Sequence, residues 1–406
     1  MTLRAFVREG VVPRSQAGRR LALAALVDSA GTGMFLTVSA VYFTRQVGLA
    51  PAQVGVGLSV AAVAGLLASV PIGALGDRFG PGRVYVALQL WRGLGYAAYT
   101  LVSGFPGFVA VASIIEVGDA ALPAIAQAVV GLAVPREERI ETLARVRALR
   151  NAGFGLGAAL ATAVLAVGSR QAFLALVLGT AGAVILGAAL LSRAGLARLR
   201  DLPVVAPRFG FASNPPLLAA ALLNGVLCIH VTLLFVALPL WIANHTRVPV
   251  VLVGPLVALN TVMAVALQAR FSVRAGRLGG AVDCMARAGF ALAGFGVLAL
   301  LMGQIQIVGI AAPLAVLATV LLTCGELWQS AGGWQISYAL ARRDRQVEYL
   351  ATFQLGTGLQ AIVGPAVVVG MIFPSELGWL CFALVMAGAG LLVRPAVRAA
   401  GSEVGL

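Results

Sequence analysis

The stretch Gly73-Ala-Leu-Gly-Asp-Arg-Phe-Gly-Pro-Gly-Arg83 separates two long apolar runs and decides how this chain folds. The segment Gly80-Pro81-Gly82 permits a sharp reversal of the backbone. A connection this short has no room for a soluble domain. It is therefore predicted to join two membrane-spanning helices and to hold Asp77, Arg78 and Arg83 at the water boundary on one side of a membrane.

The composition agrees with a membrane protein. Sixty per cent of the residues are hydrophobic and 11% are charged, whereas a soluble domain carries about 25% charged residues. A membrane-spanning helix needs about 20 mainly apolar residues, and an outer-membrane barrel would show strict alternation instead. The sequence therefore predicts an all-α membrane protein with twelve transmembrane helices. The twelve apolar runs are Leu21–Thr44, Val54–Leu75, Val84–Val102, Phe108–Val134, Leu143–Val167, Ala172–Leu191, Leu217–Ala243, Val250–Phe271, Ala281–Met302, Ile307–Leu327, Tyr349–Ile372 and Leu377–Val393.

The net charge of +14 reports topology and gives no reason to expect a nucleic-acid partner. All 29 basic residues are arginine. With twelve spans, all but four of these arginines fall on the side that holds both termini, and one of the four exceptions, Arg92, lies within a span. By the positive-inside rule both termini are cytoplasmic. We expect a multi-pass protein of the inner (plasma) membrane, whose environment is the lipid bilayer.

The charged turn resembles the loop signature of the major facilitator superfamily of transporters. The signature is a glycine, an aspartate-arginine pair after three intervening residues, a glycine after one more and an arginine after two more. Here its residues are Gly73, Asp77, Arg78, Gly80 and Arg83. In that family the loop follows the second helix on the cytoplasmic side. The resemblance implies two pseudo-symmetric six-helix bundles, 1–192 and 217–406, with a cytoplasmic linker over 193–216. It also implies that these five residues form a gating loop.

Several chemistries are excluded by residues that the chain lacks. There is no lysine for a phosphate-binding Walker loop, so the chain is not itself an ATP-driven pump. Its two histidines, His230 and His245, are too few for a zinc site, and its four cysteines are scattered over apolar segments. No catalytic constellation is present. We expect no enzyme activity, no cofactor and no bound metal, but a small-molecule substrate and protons as partners.

Polar stripes in three of the apolar runs, the first, fourth and tenth, and two polar residues in the seventh indicate where a solute could pass. The first run carries residues at offsets of 0, 4, 7, 11 and 14, which share one helical face. The fourth, seventh and tenth runs, like the first, correspond to helices that line the central cavity in the family. The candidate proton-coupling or substrate-binding residues are Asp28, Glu116, Asp119 and Glu326. The candidate cavity-lining residues are Thr32, Phe35, Ser39, Tyr42, Gln127, Asn224, His230, Thr323 and Ser330.

The ionisable candidates leave alternatives open. Asp28 could carry a proton or form a structural pair with Arg92 or Arg150. Glu116 and Asp119 are one helical turn apart, and their mutual repulsion favours a shared proton and a role in proton coupling or cation recognition. Glu326 could contact substrate or act at a gate. Glycines in the fifth and eleventh runs are expected to allow close helix packing.

These features predict a proton-coupled secondary transporter that works by alternating access. An acidic and largely apolar cleft favours export of a hydrophobic or cationic small molecule, a drug or secondary metabolite. The pattern resembles twelve-helix bacterial drug:proton antiporters, but Gly157 is followed by Ala158 instead of proline and the fourth run lacks their arginine. The alternatives are a symporter or facilitator for a small metabolite and a non-transporting membrane sensor or scaffold. We expect a monomer.

Overall fold

The computed structural model of the protein describes residues 12–167, 169–193, 195, 214–372 and 376–404. The described residues divide into two compact units. The first contains the six helices before residue 209 and, in addition, residues 341–351. The second contains the remaining helices. The linker predicted over 193–216 lies almost wholly outside the described residues, so its boundaries stay a prediction.

The first unit is built from six helices in chain order. A π-helical turn, Tyr42–Gln46, extends the first of them, and a 3₁₀ turn, Tyr99–Leu101, extends the third. The helices are α1 (Gln16–Val41), α2 (Pro51–Phe79), α3 (Pro81–Ala98), α4 (Phe105–Ala133), α5 (Arg139–Val167) and α6 (Arg170–Arg193).

The second unit begins with an interrupted helix, α7. It consists of Pro215–Leu227, a single turn at His230–Thr232, a π-helical turn at Leu233–Ala237 and a last segment, Leu238–His245. The others are α8 (Val253–Val273), α9 (Leu278–Gln304), α10 (Val308–Leu340), α11 (Gln346–Val367) and α12 (Glu376–Val404). The first residues of α11 belong to the first unit and the rest to the second.

The twelve predicted helices are confirmed, and each coincides with one of the twelve apolar runs. Within the described residues, nine are long and apolar enough to cross a membrane by length and composition alone. The three that fall short are α3, α5 and α11. The 18-residue α3 carries Arg92, and the first twelve residues of α5 include four arginines.

Glycines bring α1 and α5 into backbone contact, as expected from the sequence. A Cβ atom added at Gly157 would lie 2.0 Å from the carbonyl oxygen of Ala30, and one added at Gly153 would lie 2.3 Å from that of Leu26. In the second unit α7 and α11 approach equally closely, because a Cβ atom at Gly356 would lie 1.8 Å from the Ala221 carbonyl oxygen. Any side chain larger than hydrogen would force these helices apart.

The turn between α2 and α3 has the conformation that its sequence predicts. Gly80 ends α2 with a φ of 90°, which a residue with a side chain rarely adopts, and Pro81 begins α3. At this turn the buried Asp77 accepts hydrogen bonds of 2.8 Å from the backbone N–H groups of Val347 and Glu348. Asp77 of α2 therefore caps the first turn of α11.

Candidate functional site

A buried arginine lies at the centre of an acidic cluster in the first unit. Arg92 Nη1 donates a 2.9 Å hydrogen bond to Asp28 Oδ1 on α1 and a second one to Gln89 Oε1 on its own helix. On α4, Asp119 Oδ1 lies 2.6 Å from Arg92 Nε, close enough for an ion pair but without the geometry of a hydrogen bond. The Tyr96 ring lies 6.0 Å from the guanidinium carbon. One cation thus contacts carboxylates from two other helices.

The local sequence explains how these side chains meet. Gln89, Arg92 and Tyr96 are spaced by three and four residues, so they share the face of α3 that is buried. The arginine side chain is 2% exposed, compared with 15% for Asp28 and 32% for Asp119. Asp119 is therefore the more open of the two carboxylates that contact Arg92.

Glu116 lies one turn before Asp119 on α4 and is half-buried. Among the described residues it forms no hydrogen bond and no ion pair through its side chain. Its backbone carbonyl packs against Gly65 of α2. If all three carboxylates are ionised, Asp28, Glu116 and Asp119 carry three negative charges against the one positive charge of Arg92. The cluster is then short of two positive charges, which is costly inside a membrane.

The structure selects between the two structural partners considered for Asp28. Its carboxylate contacts Arg92, whereas Arg150 is exposed on α5. Thr32 and Ser39, which follow Asp28 on the predicted stripe of α1, hydrogen-bond to carbonyl groups of their own helix. Gln127, on the stripe of α4, is buried.

Phe35 and Tyr42, which the stripe also predicted to line the cavity, are packed in an aromatic core. Phe35 stacks on Tyr99 with ring centroids 5.1 Å apart, and the Tyr42 hydroxyl donates to the Tyr99 carbonyl at 3.1 Å. Both side chains are at most 5% exposed. Their contacts with Tyr96 and Tyr99 at the end of α3 and with Phe173 of α6 favour a packing role.

The second unit holds a separate polar cluster between α8 and α10. Asn260 Nδ2 donates to Glu326 Oε2 at 2.9 Å and to Thr323 Oγ1 at 3.0 Å. Ser330 donates to the backbone carbonyl of Glu326. All four of these residues are buried. The predicted stripe on α10 is therefore covered in part by a polar residue of α8.

A buried hydrogen-bonded chain crosses α7, α10 and α11 beside the interruption of α7. The His230 ring contacts Gln329 Oε1 at 3.2 Å, and Gln329 Nε2 donates to Asn224 Oδ1 at 2.9 Å. Asn224 in turn donates to Thr357 Oγ1 at 3.4 Å. His230 and Asn224, both predicted as cavity-lining, thus belong to one network.

The predicted gating residues occupy the two sides of the α2–α3 turn. Gly73 packs on the start of α11, since an added Cβ atom would lie 2.7 Å from Ala351 Cβ. Asp77 is buried, while Arg78 and Arg83 are exposed, and the Arg78 guanidinium lies over the Phe79 ring. Gly80 provides the turn.

Sequence reasoning missed the neutral amides. Gln89, Asn260 and Gln329 each hydrogen-bond to a residue that was singled out, and none of them was predicted. The available signal was an amide within or just after an apolar run, one turn from a charged residue in the case of Gln89. No group of three or more metal-ligating side chains occurs in the part of the chain that the structure describes.

Twelve mostly apolar helices with charged and amide side chains buried among them define a multi-pass membrane protein with polar sites inside its bundles. The family model described as Major Facilitator Superfamily matches residues 21–365. The chain therefore belongs to the Major Facilitator Superfamily and is a transporter. A search of curated proteins finds no match to it.

Solved structures with similar folds are also transporters. A bacterial homologue of the iron transporter ferroportin in an outward-facing state has a TM-score of 0.74 at 15% identity, covering 96% of this chain and 100% of its own. The human organic anion transporter MFSD10 (TETRAN) has a TM-score of 0.61 at 16% identity, covering 95% of this chain and 98% of its own. The proton:xylose symporter XylE has a TM-score of 0.62 at 13% identity, covering 93% of this chain and 94% of its own. At these identities the likeness concerns the fold.

Proposed function

We propose that this protein is a proton-coupled secondary active transporter that exports a hydrophobic or cationic small molecule by alternating access. The observation that carries the proposal is the cluster around Arg92. A buried site with three carboxylates and one arginine has a deficit of positive charge, which a proton or a substrate cation can supply. Competition between the two for one site couples their movements in opposite directions.

Within this cluster, Glu116 and Asp119 are the proposed coupling residues. Glu116 has no partner among the described residues, and Asp119 is the more exposed partner of Arg92. Asp28, held by a hydrogen bond to Arg92, supports the arginine. The role of Asp77 is proposed to be gating, because it is bound to backbone groups of α11 and lies at the α2–α3 turn.

The arginine distribution supports the proposed orientation. Its excess on the side of the α2–α3 turn supports the proposal that both termini are cytoplasmic and that the inner, or plasma, membrane holds the protein. Protons then enter from outside, protonate the cluster and are released to the more alkaline cytoplasm while substrate leaves. We propose that a single chain is sufficient for this cycle.

One observation favours the alternative of a proton symporter for a small metabolite. The second unit buries Asn224, Gln329 and Asn260 with their side-chain hydrogen bonds formed inside the bundle. Amide groups of this kind suit a hydrogen-bonding substrate better than an apolar one. The proton:xylose symporter XylE, which has the same fold, is a transporter of that type.

Proteoliposomes with an imposed pH gradient test the proposal and its alternative together. With an acidic interior, an antiporter accumulates organic cations from a compound panel as protons leave, and a protonophore abolishes the accumulation. With an acidic exterior, a symporter accumulates a neutral metabolite instead. If neither gradient changes the transport of any compound that the protein moves, coupling to protons is excluded.

A further inference from the structure

The two carboxylates that contact Arg92 are held differently, and this difference indicates which of them exchanges the arginine for a proton or a substrate cation. Nη1 makes hydrogen bonds to Asp28 and to Gln89, whereas Nε lies near Asp119 without a hydrogen bond to it. The Nη1 side of the guanidinium is thus held by two acceptors, whereas its Nε side faces one carboxylate, that of Asp119, which is the more exposed of the two carboxylates.

Gln89 is placed to fix that side without adding charge. It is 1% exposed and lies one turn before Arg92 on α3. It faces Gly187 of α6, where an added Cβ atom would lie 3.7 Å from Gln89 Nε2 and 3.7 Å from Asp28 Cβ. The amide therefore fills the space between α3 and α6 beside Asp28. Its oxygen accepts a hydrogen bond at every pH at which the protein is folded.

Gly118 provides the surface on which the arginine stem lies. A Cβ atom at Gly118 would be 3.0 Å from Arg92 Cγ and 3.3 Å from Trp91 Cδ1. The Trp91 indole N–H donates a 2.7 Å hydrogen bond to the Ile114 carbonyl, which fixes α3 to α4 at this level. The arginine can cross from α3 towards α1 because α4 has no side chain there.

We propose that Gln89 is a positioning residue that holds Arg92 on Asp28, so that Asp119 is the carboxylate that exchanges its partner for a proton or a substrate cation. The inference rests on the proposed coupling function. When Asp119 is protonated, Arg92 keeps its two hydrogen bonds and stays in place. When the proton leaves, the arginine is already positioned to receive the Asp119 carboxylate.

Two substitutions of Gln89 are expected to shift the pH dependence of transport in opposite directions. The charged or titratable groups around Asp119 are Asp28 on α1, Arg92 and Tyr96 on α3, Tyr99 in the 3₁₀ turn after α3, Glu116 on α4 and Arg150 on α5. Gln89→Leu removes the neutral acceptor, so Arg92 can bind Asp119 more tightly and oppose its protonation. Gln89→Glu adds a carboxylate that competes for Arg92 and favours protonation of Asp119.

The measurement is the pH midpoint of substrate exchange in proteoliposomes with equal pH on both sides. Gln89→Leu should move the midpoint by about one unit to lower pH, a tenfold change in proton affinity, and Gln89→Glu should move it to higher pH. The matched control is Gln268→Leu in the second unit, which removes another buried amide, 2% exposed, whose side chain forms no hydrogen bond with the described residues. Its midpoint should equal that of the wild type.

The outcomes separate this inference from the proposed function. A wild-type protein whose exchange has no pH dependence contradicts the coupling function itself. A pH-dependent wild type with both Gln89 variants at the wild-type midpoint, or with both shifted in the same direction, contradicts the positioning role. If Gln89→Leu fails to fold, Gln89→Asn, whose shorter side chain withdraws the acceptor, should give the same downward shift.

Discussion

At the scale of single residues, the buried charges act as one unit. Arg92, whose side chain is 2% exposed, contacts both Asp28 and Asp119. Removing one member of a buried ion pair costs about 3–5 kcal/mol, because the remaining charge stays buried. A pair of this kind is therefore weak evidence for stability but restricts which charge can change during a transport cycle.

Asp77 is the residue whose substitution should separate gating from folding. Asp77→Asn keeps one side-chain carbonyl oxygen but loses the charge and one of two hydrogen bonds to the start of α11. Each hydrogen bond to a charged group is worth about 1.5–3 kcal/mol. We expect normal insertion and a several-fold lower transport rate, measured as initial rates in proteoliposomes with equal amounts of protein.

The control for this variant is Asp344→Asn. Asp344 is a partly exposed aspartate in the connection before α11, where it pairs with Arg342. Exposed pairs contribute little, so its rate should stay near that of the wild type. Equal, undiminished rates for both variants would show that Asp77 has no role in gating.

At the scale of helices, the order and extent of the elements follow from hydropathy, but the faces that meet do not. The offsets on α1 place Asp28, Phe35 and Tyr42 on one face, and all three contact α3 or its 3₁₀ extension. The offsets could not predict this cover of the aromatic residues, because a stripe gives no information on what lies opposite. Likewise the sequence left Arg92 and Arg150 as alternative partners of Asp28, and only the tertiary structure shows that Arg92 contacts it.

The close approach of α1 and α5 can be tested with two glycines on one helix. Gly157→Ala would place a methyl group 2.0 Å from the Ala30 carbonyl oxygen, whereas a Cβ atom at Gly155 meets no atom within 4 Å. Overpacking costs about 1–3 kcal/mol. Gly157→Ala should therefore lower the thermal unfolding temperature in detergent clearly, and Gly155→Ala should leave it nearly unchanged. Equal unfolding temperatures for the two variants would contradict the packing described for this pair.

At the scale of the whole molecule, the arginine distribution predicts the topology. Reporter fusions after Arg208 and Arg345 should be cytoplasmic, and fusions after Arg170 and Arg247 should be external. Arg208 lies outside the described residues, so the fusion after it also tests the linker predicted there. An external signal after Arg208 would contradict the proposed orientation.

The central claim, that the acidic cluster of the first unit couples transport to protons, is tested most directly by accumulation in proteoliposomes with an acidic interior. Glu116→Gln and Asp119→Asn imitate the protonated side chains and cannot release a proton. Both variants should lose accumulation against a substrate gradient while retaining downhill exchange. Glu137→Gln, which changes an exposed carboxylate at the α4–α5 connection, should accumulate substrate like the wild type. Full gradient-driven accumulation by both single variants and by the double variant would contradict the claim and leave these carboxylates with a structural role.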